Sequence, residues 1–251
     1  MKRTELVKYL AEYLRLSEYK DASWNGLQVE GDDEVDRIAT AVDPTLPAIR
    51  GAAEAGARML LVHHGFFWGN GERIVGPIKP KIQALFKAGL SLYAAHLPLD
   101  AHPEVGNNAQ LARLLKLEVS DGFGGDGGGP KIGVLCTPRT AIPREQLADR
   151  LAAAIGVTPR LYDLGPPKVR RIGIVSGNGG STVNEATGRR LDCLITGEWT
   201  YTNYQNARDH GLNVLCGGHY ATETVGVQAL GAHLAEKFGL GHTFIADPAP
   251  M

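Results

Sequence analysis

The chain has 251 residues, of which 43% are hydrophobic and 21% are charged, a composition typical of a globular protein with one large or two small domains. Its formal net charge of -1 gives no global positive field that would attract nucleic acid or an anionic membrane surface. Charged residues interrupt the N-terminal segment, and no run of about 18 apolar residues is present, so we expect neither a signal peptide nor a transmembrane helix. Three widely spaced cysteines do not match a disulfide framework or a thiolate zinc site. The composition therefore predicts a soluble, cytoplasmic protein.

Short apolar, β-rich runs alternate with helical patterns along the chain. The runs that predict strands are 37–42, 59–63, 92–95, 132–136, 160–164, 169–175, 191–195, 213–216 and 243–246. The helical patterns are 5–15, 45–56, 79–88, 107–116, 143–155, 180–189, 202–210 and 221–238. This alternation predicts an α/β fold with mostly parallel sheets flanked by helices, in which ligands gather beyond the carboxyl ends of the strands.

The clearest break in the pattern is the segment GFGGDGGGP at 122–130, in which six of nine residues are glycine. Such a segment predicts a loop or linker, because glycine loses the most backbone entropy on ordering. A second crossing is expected near 211–217. We therefore predict a metal-binding α/β domain from 1–124 and 213–251, with a second, similar α/β domain at 125–212 inserted in it.

Two adjacent histidines, His63 and His64, follow the apolar run in RMLLVHHGFFW. Neighbouring side chains of a strand face opposite sides, but where the chain turns at the strand's end both imidazoles can reach one cavity. Two metals, one per imidazole, fit this pair better than a single ion. Taken alone, the pair is better interpreted as one core histidine beside an exposed one.

A second polar cluster, His96 and Asp100, follows the strand-like run in SLYAAHLPLDAHPEVGNN. Asp100 could bridge two cations with its two oxygens, or it could cap a helix or turn before Pro103. His96 could be a ligand, the hydrogen-bond partner of a ligand, or a proton carrier.

A third cluster lies in NVLCGGHYATETVG, where His219 and Glu223 are four residues apart and would share one face of a helix. The alternative is a solvent-facing pair on the first helical turn. Glu198, in LITGEWTYTN, also follows a strand-like run. It is a candidate general base or water-orienting group, or else a carboxylate at a helix N-terminus.

Recurrence favours a site over coincidence, because three separate strand ends each deliver histidine or carboxylate to one predicted cleft. Mixed nitrogen and oxygen ligands suit zinc, iron, manganese, cobalt or nickel, whereas magnesium and calcium prefer oxygen alone. A further loop, VSGNGGSTVNEA, lacks the third glycine of a dinucleotide fingerprint and a Walker lysine. It is better interpreted as a tight strand-to-helix turn.

Taken together, SWNGLQVEG, LVHHGFFW, AAHLPLDAHPEVGNNAQLA, SGNGG, TGEWTYTN and GGHYATETVG resemble the NGG-one-interacting-factor-three-like family, whose members are also called type-two homologues of GTP cyclohydrolase one. The resemblance implies two similar α/β domains, a toroidal homohexamer and a dinuclear metal centre facing its cavity. It also implies the metal ligands, which are His63, His64, Asp100, His219 and Glu223. His96 matches a nearby histidine that is not always counted as a ligand.

The function predicted first is that of a metal-dependent hydrolase, either of the GTP cyclohydrolase type or acting on phosphoesters, nucleotides or amides. In the predicted site Asp100 and Glu223 bridge two divalent ions. His63 and His219 bind one ion and His64 the other, while Glu198 or His96 moves protons. The alternative is a non-catalytic metal carrier, store or regulator that binds protein partners. A small-molecule substrate fits the first function, and neither requires nucleic acid or a membrane.

Overall fold

The structure is a computed structural model that describes residues 1–71, 73–125 and 129–249. The helices are α1 (Arg3–Tyr13), α2 (Leu46–Glu54), α3 (Ile78–Ala88), α4 (Leu97–Asp100), α5 (Asn107–Leu114), α6 (Arg144–Ile155), α7 (Val183–Gly188), α8 (Tyr201–Asp209) and α9 (His219–Phe238). The strands are β1 (Gly26–Val29), β2 (Arg37–Ala41), β3 (Met59–Val62), β4 (Ser91–Ala94), β5 (Glu118–Phe123), β6 (Gly133–Thr137), β7 (Ile142–Pro143), β8 (Arg160–Tyr162), β9 (Lys168–Val169), β10 (Ile172–Val175), β11 (Cys193–Thr196), β12 (Asn213–Cys216) and β13 (Gly241–Phe244).

Two compact units make up the chain. The first consists of Met1–Leu99 and Gly226–Pro248, and the second contains Asp100–Val225. These units divide the chain at other points than the predicted domain ranges 1–124 with 213–251 and 125–212. The predicted ranges, and the insertion of one domain in the other, stay a prediction. Residues 126–128 of the glycine-rich segment lie outside the described residues.

The first unit is built on a five-stranded sheet with the order β1-β4-β3-β2-β13. All neighbours are parallel except β1, which runs antiparallel to β4 at the edge. Helices α2 and α3 pack on the sheet through buried side chains such as Ile49 and Leu85. Val62 and Ala94 are register partners, so β3 and β4 end at the same level. The residues that follow both strands therefore emerge side by side.

The second unit is built on a six-stranded sheet with the order β5-β6-β10-β11-β12-β8. The central strands β10, β11 and β12 are parallel, and the outer strands are antiparallel to their neighbours. The last residues of the three central strands, Val175, Thr196 and Cys216, are in register. Their three loops thus leave the same edge of the sheet.

The predicted α/β class is confirmed, with parallel pairs in the first sheet and at the centre of the second. The edge strands β1 and β5 were not predicted, because most of their residues are exposed or only half-buried and show no apolar run. Among the described residues, no helix combines the length and the hydropathy that a bilayer-spanning helix needs.

Candidate metal centre

His63 and His64 occupy a turn at the end of β3. The carbonyl oxygen of Val42 accepts hydrogen bonds from both backbone amides, at 3.0 Å from His63 N and 2.9 Å from His64 N. The His63 ring is buried, and its Nδ1 lies 3.0 Å from the carbonyl oxygen of Ala95. Because a carbonyl oxygen only accepts, Nδ1 carries the proton and Nε2 carries the lone pair. His63 is thus in the tautomer that binds a metal through Nε2.

His64 is oriented in the same way by a carboxylate. Its Nδ1 donates to Oδ1 of Asp43 at 2.8 Å. Asp43 follows the end of β2, the strand next to β3 in the sheet. A carboxylate on Nδ1 fixes the ring orientation and makes Nε2 a more basic ligand. Asp43 was not among the predicted site residues, although it also comes directly after a strand.

His96 donates its Nδ1 proton to Asp21, whose oxygens lie 3.0 and 3.1 Å away. Asp21 is buried and also accepts hydrogen bonds from the amides of Ser23 and Leu97 and from the side chain of Asn25. Burial by itself would raise the pKa of Asp21. The hydrogen bond and the charge attraction from His96, with those donors, outweigh burial and lower the pKa to about 2. Asp21 is therefore a fixed anion that holds His96 in place.

Three of the imidazoles of the first unit form one group that could hold a metal ion. The potential ligand atoms of His63, His64 and His96 all lie within 4.8 Å of one another. The ring centres are 4.8 Å apart for His63 and His64, 5.0 Å for His63 and His96, and 5.7 Å for His64 and His96. Imidazole nitrogens that share one metal ion bind it at about 2.0–2.1 Å. His96 thus belongs with the paired histidines.

In the second unit, His219 lies between two carboxylates. Its Nδ1 donates to Oε1 of Glu198 at 2.9 Å, and its Nε2 lies 3.1 Å from Oε1 of Glu223. The hydrogen bond with Glu223 outweighs the effect of burial and, with Glu198, raises the pKa of His219 to about 9. Glu223 is only 3% exposed. In the metal-free protein a proton therefore joins His219 to Glu223, at a pair whose atoms are also metal ligands.

Glu198 thus positions His219. The start of α8 is instead capped by Thr200, which accepts a hydrogen bond from the Asn203 amide. The alternative interpretation of Glu198 as the carboxylate of a helix N-terminus is therefore not needed.

The glycines around this pair are required by close packing. Gly177, which follows β10, has a φ of +58°, and a Cβ there would overlap Oε1 of Glu223 and lie 3.0 Å from Nε2 of His219. A Cβ on Gly197 would lie 2.8 Å from Cα of His219. The SGNGG motif is thus a tight turn whose backbone packs against the pair, as the sequence indicates.

Backbone hydrogen bonds join the loops that follow the three parallel strands. The carbonyl oxygen of Gly177 accepts from Gly197 N and Glu198 N, both at 2.9 Å, and Gly218 N donates to Gly197 O at 3.0 Å. The loop after β10 is therefore bonded to the loop after β11, and that loop to the one after β12.

Asp100, at the end of α4, is 7% exposed. Its Oδ1 accepts from Nδ2 of Asn107 at 2.9 Å and from Oγ of Ser176 at 3.0 Å. The N-cap residue of α5 is Gly106, so Asp100 is not the cap of that helix. Asn107 and Ser176 fix the carboxylate, and neither was predicted to belong to the site.

The chain is similar to known proteins over nearly its whole length. A family model described as Duf34/NIF3 (NGG1p interacting factor 3) matches residues 1–250. The chain belongs to this family. The predicted resemblance is thereby confirmed over nearly the whole length.

Among curated members of the family, a Pyrococcus horikoshii protein is 47% identical over 252 residues, which covers 100% of both chains. A Deinococcus radiodurans protein is 44% identical over 249 residues, which covers 99% of this chain and 94% of the relative. Both relatives are named GTP cyclohydrolase 1 type 2 homolog. Two solved structures cover 100% of each chain. Protein ybgI, described as of unknown function, has a TM-score of 0.93 at 37% identity, and a Thermus thermophilus protein has 0.91 at 41%.

Proposed function

We propose that the protein is a metal-dependent hydrolase that binds two divalent metal ions per chain. The proposed metal ligands are those predicted from the sequence: His63, His64, Asp100, His219 and Glu223. One observation carries the proposal. In His63, His64, His96 and His219, Nδ1 donates to an oxygen, which directs Nε2 to a metal ion; in His219 that ion would replace the proton that joins Nε2 to Glu223. This arrangement is typical of metal-binding histidines, and a solvated surface imidazole has no need of it.

The chemistry of the donors fits a borderline divalent ion. Imidazole nitrogen together with buried carboxylate suits zinc, iron, manganese, cobalt or nickel. Thiolate does not compete with these donors, because burial raises the pKa of Cys136 and of Cys216 to about 12. The proposed centre therefore depends on histidine and carboxylate alone.

Two bound divalent ions supply Lewis acidity, which acidifies water and stabilises the charge that develops on a phosphoryl or carbonyl oxygen. The residues of the chain provide the framework for this chemistry. Asp43 and Asp21 hold the rings of His64 and His96 at fixed angles. Glu198 is 42% exposed and bonded to His219, so it can exchange a proton between that ring and solvent. His96 is the second candidate for proton transfer.

The names of the relatives make GTP the first substrate to examine, with phosphoesters, other nucleotides and amides as further classes. Family membership also supports a toroidal homohexamer and a cytoplasmic location as parts of this proposal.

The proposal is tested by the metal content per chain of untagged protein. We expect about two ions per chain in the wild type. Asp100→Ala and Glu223→Ala should each lose metal. His210→Ala, an exposed histidine at the end of α8, is the matched control and should retain both ions. Wild-type protein that binds no metal when zinc, iron, manganese and nickel are offered would refute the metal centre.

Hydrolysis is a separate question, and a metal carrier is the competing function. The side chains of His64, His96 and His219 are 19%, 20% and 30% exposed, so an ion held by them could exchange with a partner. Turnover of one of the substrate classes that disappears in Asp100→Ala, with slow metal exchange, supports the hydrolase. Rapid transfer of the ion to a chelator, without turnover of any class, supports the carrier.

A further inference from the structure

A groove of about 480 Å³ opens beside His64 in the first unit. This volume lies within the range of about 300–1,000 Å³ that is usual for small-molecule sites. One wall is the loop that continues from the paired histidines and carries Phe66 and Trp68. The other walls come from the residues after β2 and from the first two turns of α3, including Ile78 and Lys81. The groove thus brings aromatic, aliphatic and charged groups together next to a proposed metal ligand.

The aromatic wall is held in place by the rest of the unit. The amide of Phe66 donates to Oε1 of Gln28 at 2.7 Å, and Nε1 of Trp68 donates to the carbonyl oxygen of Gly65 at 3.0 Å. The Trp68 ring also packs edge-on against His96, with 4.9 Å between ring centres. A Cβ on Gly65 would overlap the side chain of Gln28, so the loop lies tightly against β1. The wall is therefore preorganised for a planar partner, which lowers the entropy lost on binding.

Among the described residues that line the groove, Lys81 has the one cationic side chain. Nζ of Lys81 lies 5.7 Å from the centre of the Phe66 ring. The other charged residue of the lining, Asp43, accepts the hydrogen bond from His64 Nδ1. Because Asp43 is an anion bonded to His64, Lys81 is the group suited to contact an anionic ligand.

We propose that this groove binds an aromatic or heteroaromatic anion. Its ring lies against Trp68, its anionic group contacts Lys81, and its reactive end faces His64. Only the role of this ligand as substrate rests on the proposed function. The groove favours aryl or heteroaryl phosphates and carboxylates over aliphatic amides, and Lys81 and Trp68 are its specificity-determining residues.

Binding is tested with phenyl phosphate by isothermal titration calorimetry, with protein as purified and after dialysis against EDTA. Phenol supplies the ring without the charge, and inorganic phosphate the charge without the ring. We expect phenyl phosphate to bind more tightly than either fragment in both preparations. Lys81→Met should weaken binding by about tenfold or more, the usual effect of losing a hydrogen bond to a charged group.

Matched variants separate this groove from general effects. Lys79→Met removes an exposed charge two residues away that does not line the groove, and Phe86→Leu removes an exposed aromatic ring near the end of α3 that does not line it either. Both should bind phenyl phosphate as the wild type does, whereas Trp68→Leu should bind more weakly. Equal losses in Lys79→Met and Lys81→Met, or no binding of phenyl phosphate at millimolar concentration, would overturn the proposal.

The proposed metal centre and the proposed groove can be refuted separately. Protein that binds no metal but shows binding dependent on Lys81 after EDTA dialysis refutes the metal centre alone. Protein with two ions per chain and no affinity for phenyl phosphate refutes the groove alone.

Discussion

Replacement of Gly177 by alanine measures how tightly the backbone packs against the pair formed by His219 and Glu223. The new Cβ would overlap Oε1 of Glu223, whose side chain is buried and has little room to move. The φ of +58° adds strain for a residue with a side chain. Left-handed strain costs about 1–2 kcal/mol and overpacking about 1–3 kcal/mol, so we expect a loss of about 2–5 kcal/mol in the free energy of unfolding.

The same substitution should change the titration of His219. Because the displaced Glu223 no longer meets Nε2, the pKa of His219 should fall from about 9 towards its ordinary value of 6.5. Urea denaturation gives the stability, and an NMR titration of the imidazole resonances gives the pKa.

Gly156→Ala is the matched control, since Gly156 has a φ of +76° and a Cβ there would meet no atom within 4 Å. This control should lose only the strain of about 1–2 kcal/mol and leave the pKa of His219 unchanged. If Gly177→Ala were no less stable than Gly156→Ala and kept the pKa near 9, the inferred contact with Glu223 would be wrong.

Two further predictions concern charge. The pKa of His219 is higher in the folded than in the unfolded protein, so its stabilisation of the metal-free protein is complete below pH 6.5 and is lost as the pH rises through about 9. Urea denaturation from pH 6 to 10 should show this loss of stability in wild type and a smaller loss in Glu223→Gln. An equal loss in both proteins would contradict the inferred bond between His219 and Glu223. In Asp21→Asn, an amide that also donates replaces the carboxylate that accepts hydrogen bonds from His96 and its neighbours. This change should lower the free energy of unfolding by about 1–3 kcal/mol at pH 7, while the exposed Asp149→Asn should change it by less than about 0.5 kcal/mol. The greater stability of wild type than of Asp21→Asn is present above pH 3.8 and should disappear as the pH falls through about 2. A stability difference that did not change with pH would show that it does not come from the ionised Asp21 carboxylate.

The parts of the site that local sequence predicts are those set by a single strand end or helix. His63 and His64 follow an apolar run, and the turn that lets both rings face one place forms where that strand stops. His219 and Glu223 are four residues apart, and α9 brings their atoms to 3.1 Å. Helical and strand periodicity carry this information without knowledge of the rest of the fold.

The groups that orient the imidazoles were not predicted, because they come from distant parts of the chain. Asp21 is separated from His96 by 75 residues, and nothing in its polar surroundings distinguishes it from other acidic residues. Asp43 did carry a signal, since it follows β2 as His63 follows β3. Adjacent parallel strands end at one edge, so every polar residue just past such an end is a candidate.

One of the two divisions between the compact units carries no break in the pattern. The division at Gly226 lies within α9, whereas the division at Asp100 falls at the end of α4. A helix that continues past such a point has no turn residues to mark it. The first two residues of the glycine-rich segment, Gly122 and Phe123, are the last residues of the edge strand β5.

The bonding between the strand-end loops of the second unit has a consequence for hydrogen exchange. Loops usually open independently, at little cost, and their amides exchange early. Here Gly177 cannot leave without releasing two amides of the next loop, and Gly197 is in turn bonded to Gly218. These loops should therefore open only together, as one cooperative unit, so that the backbone around His219 exchanges on the timescale of the sheet.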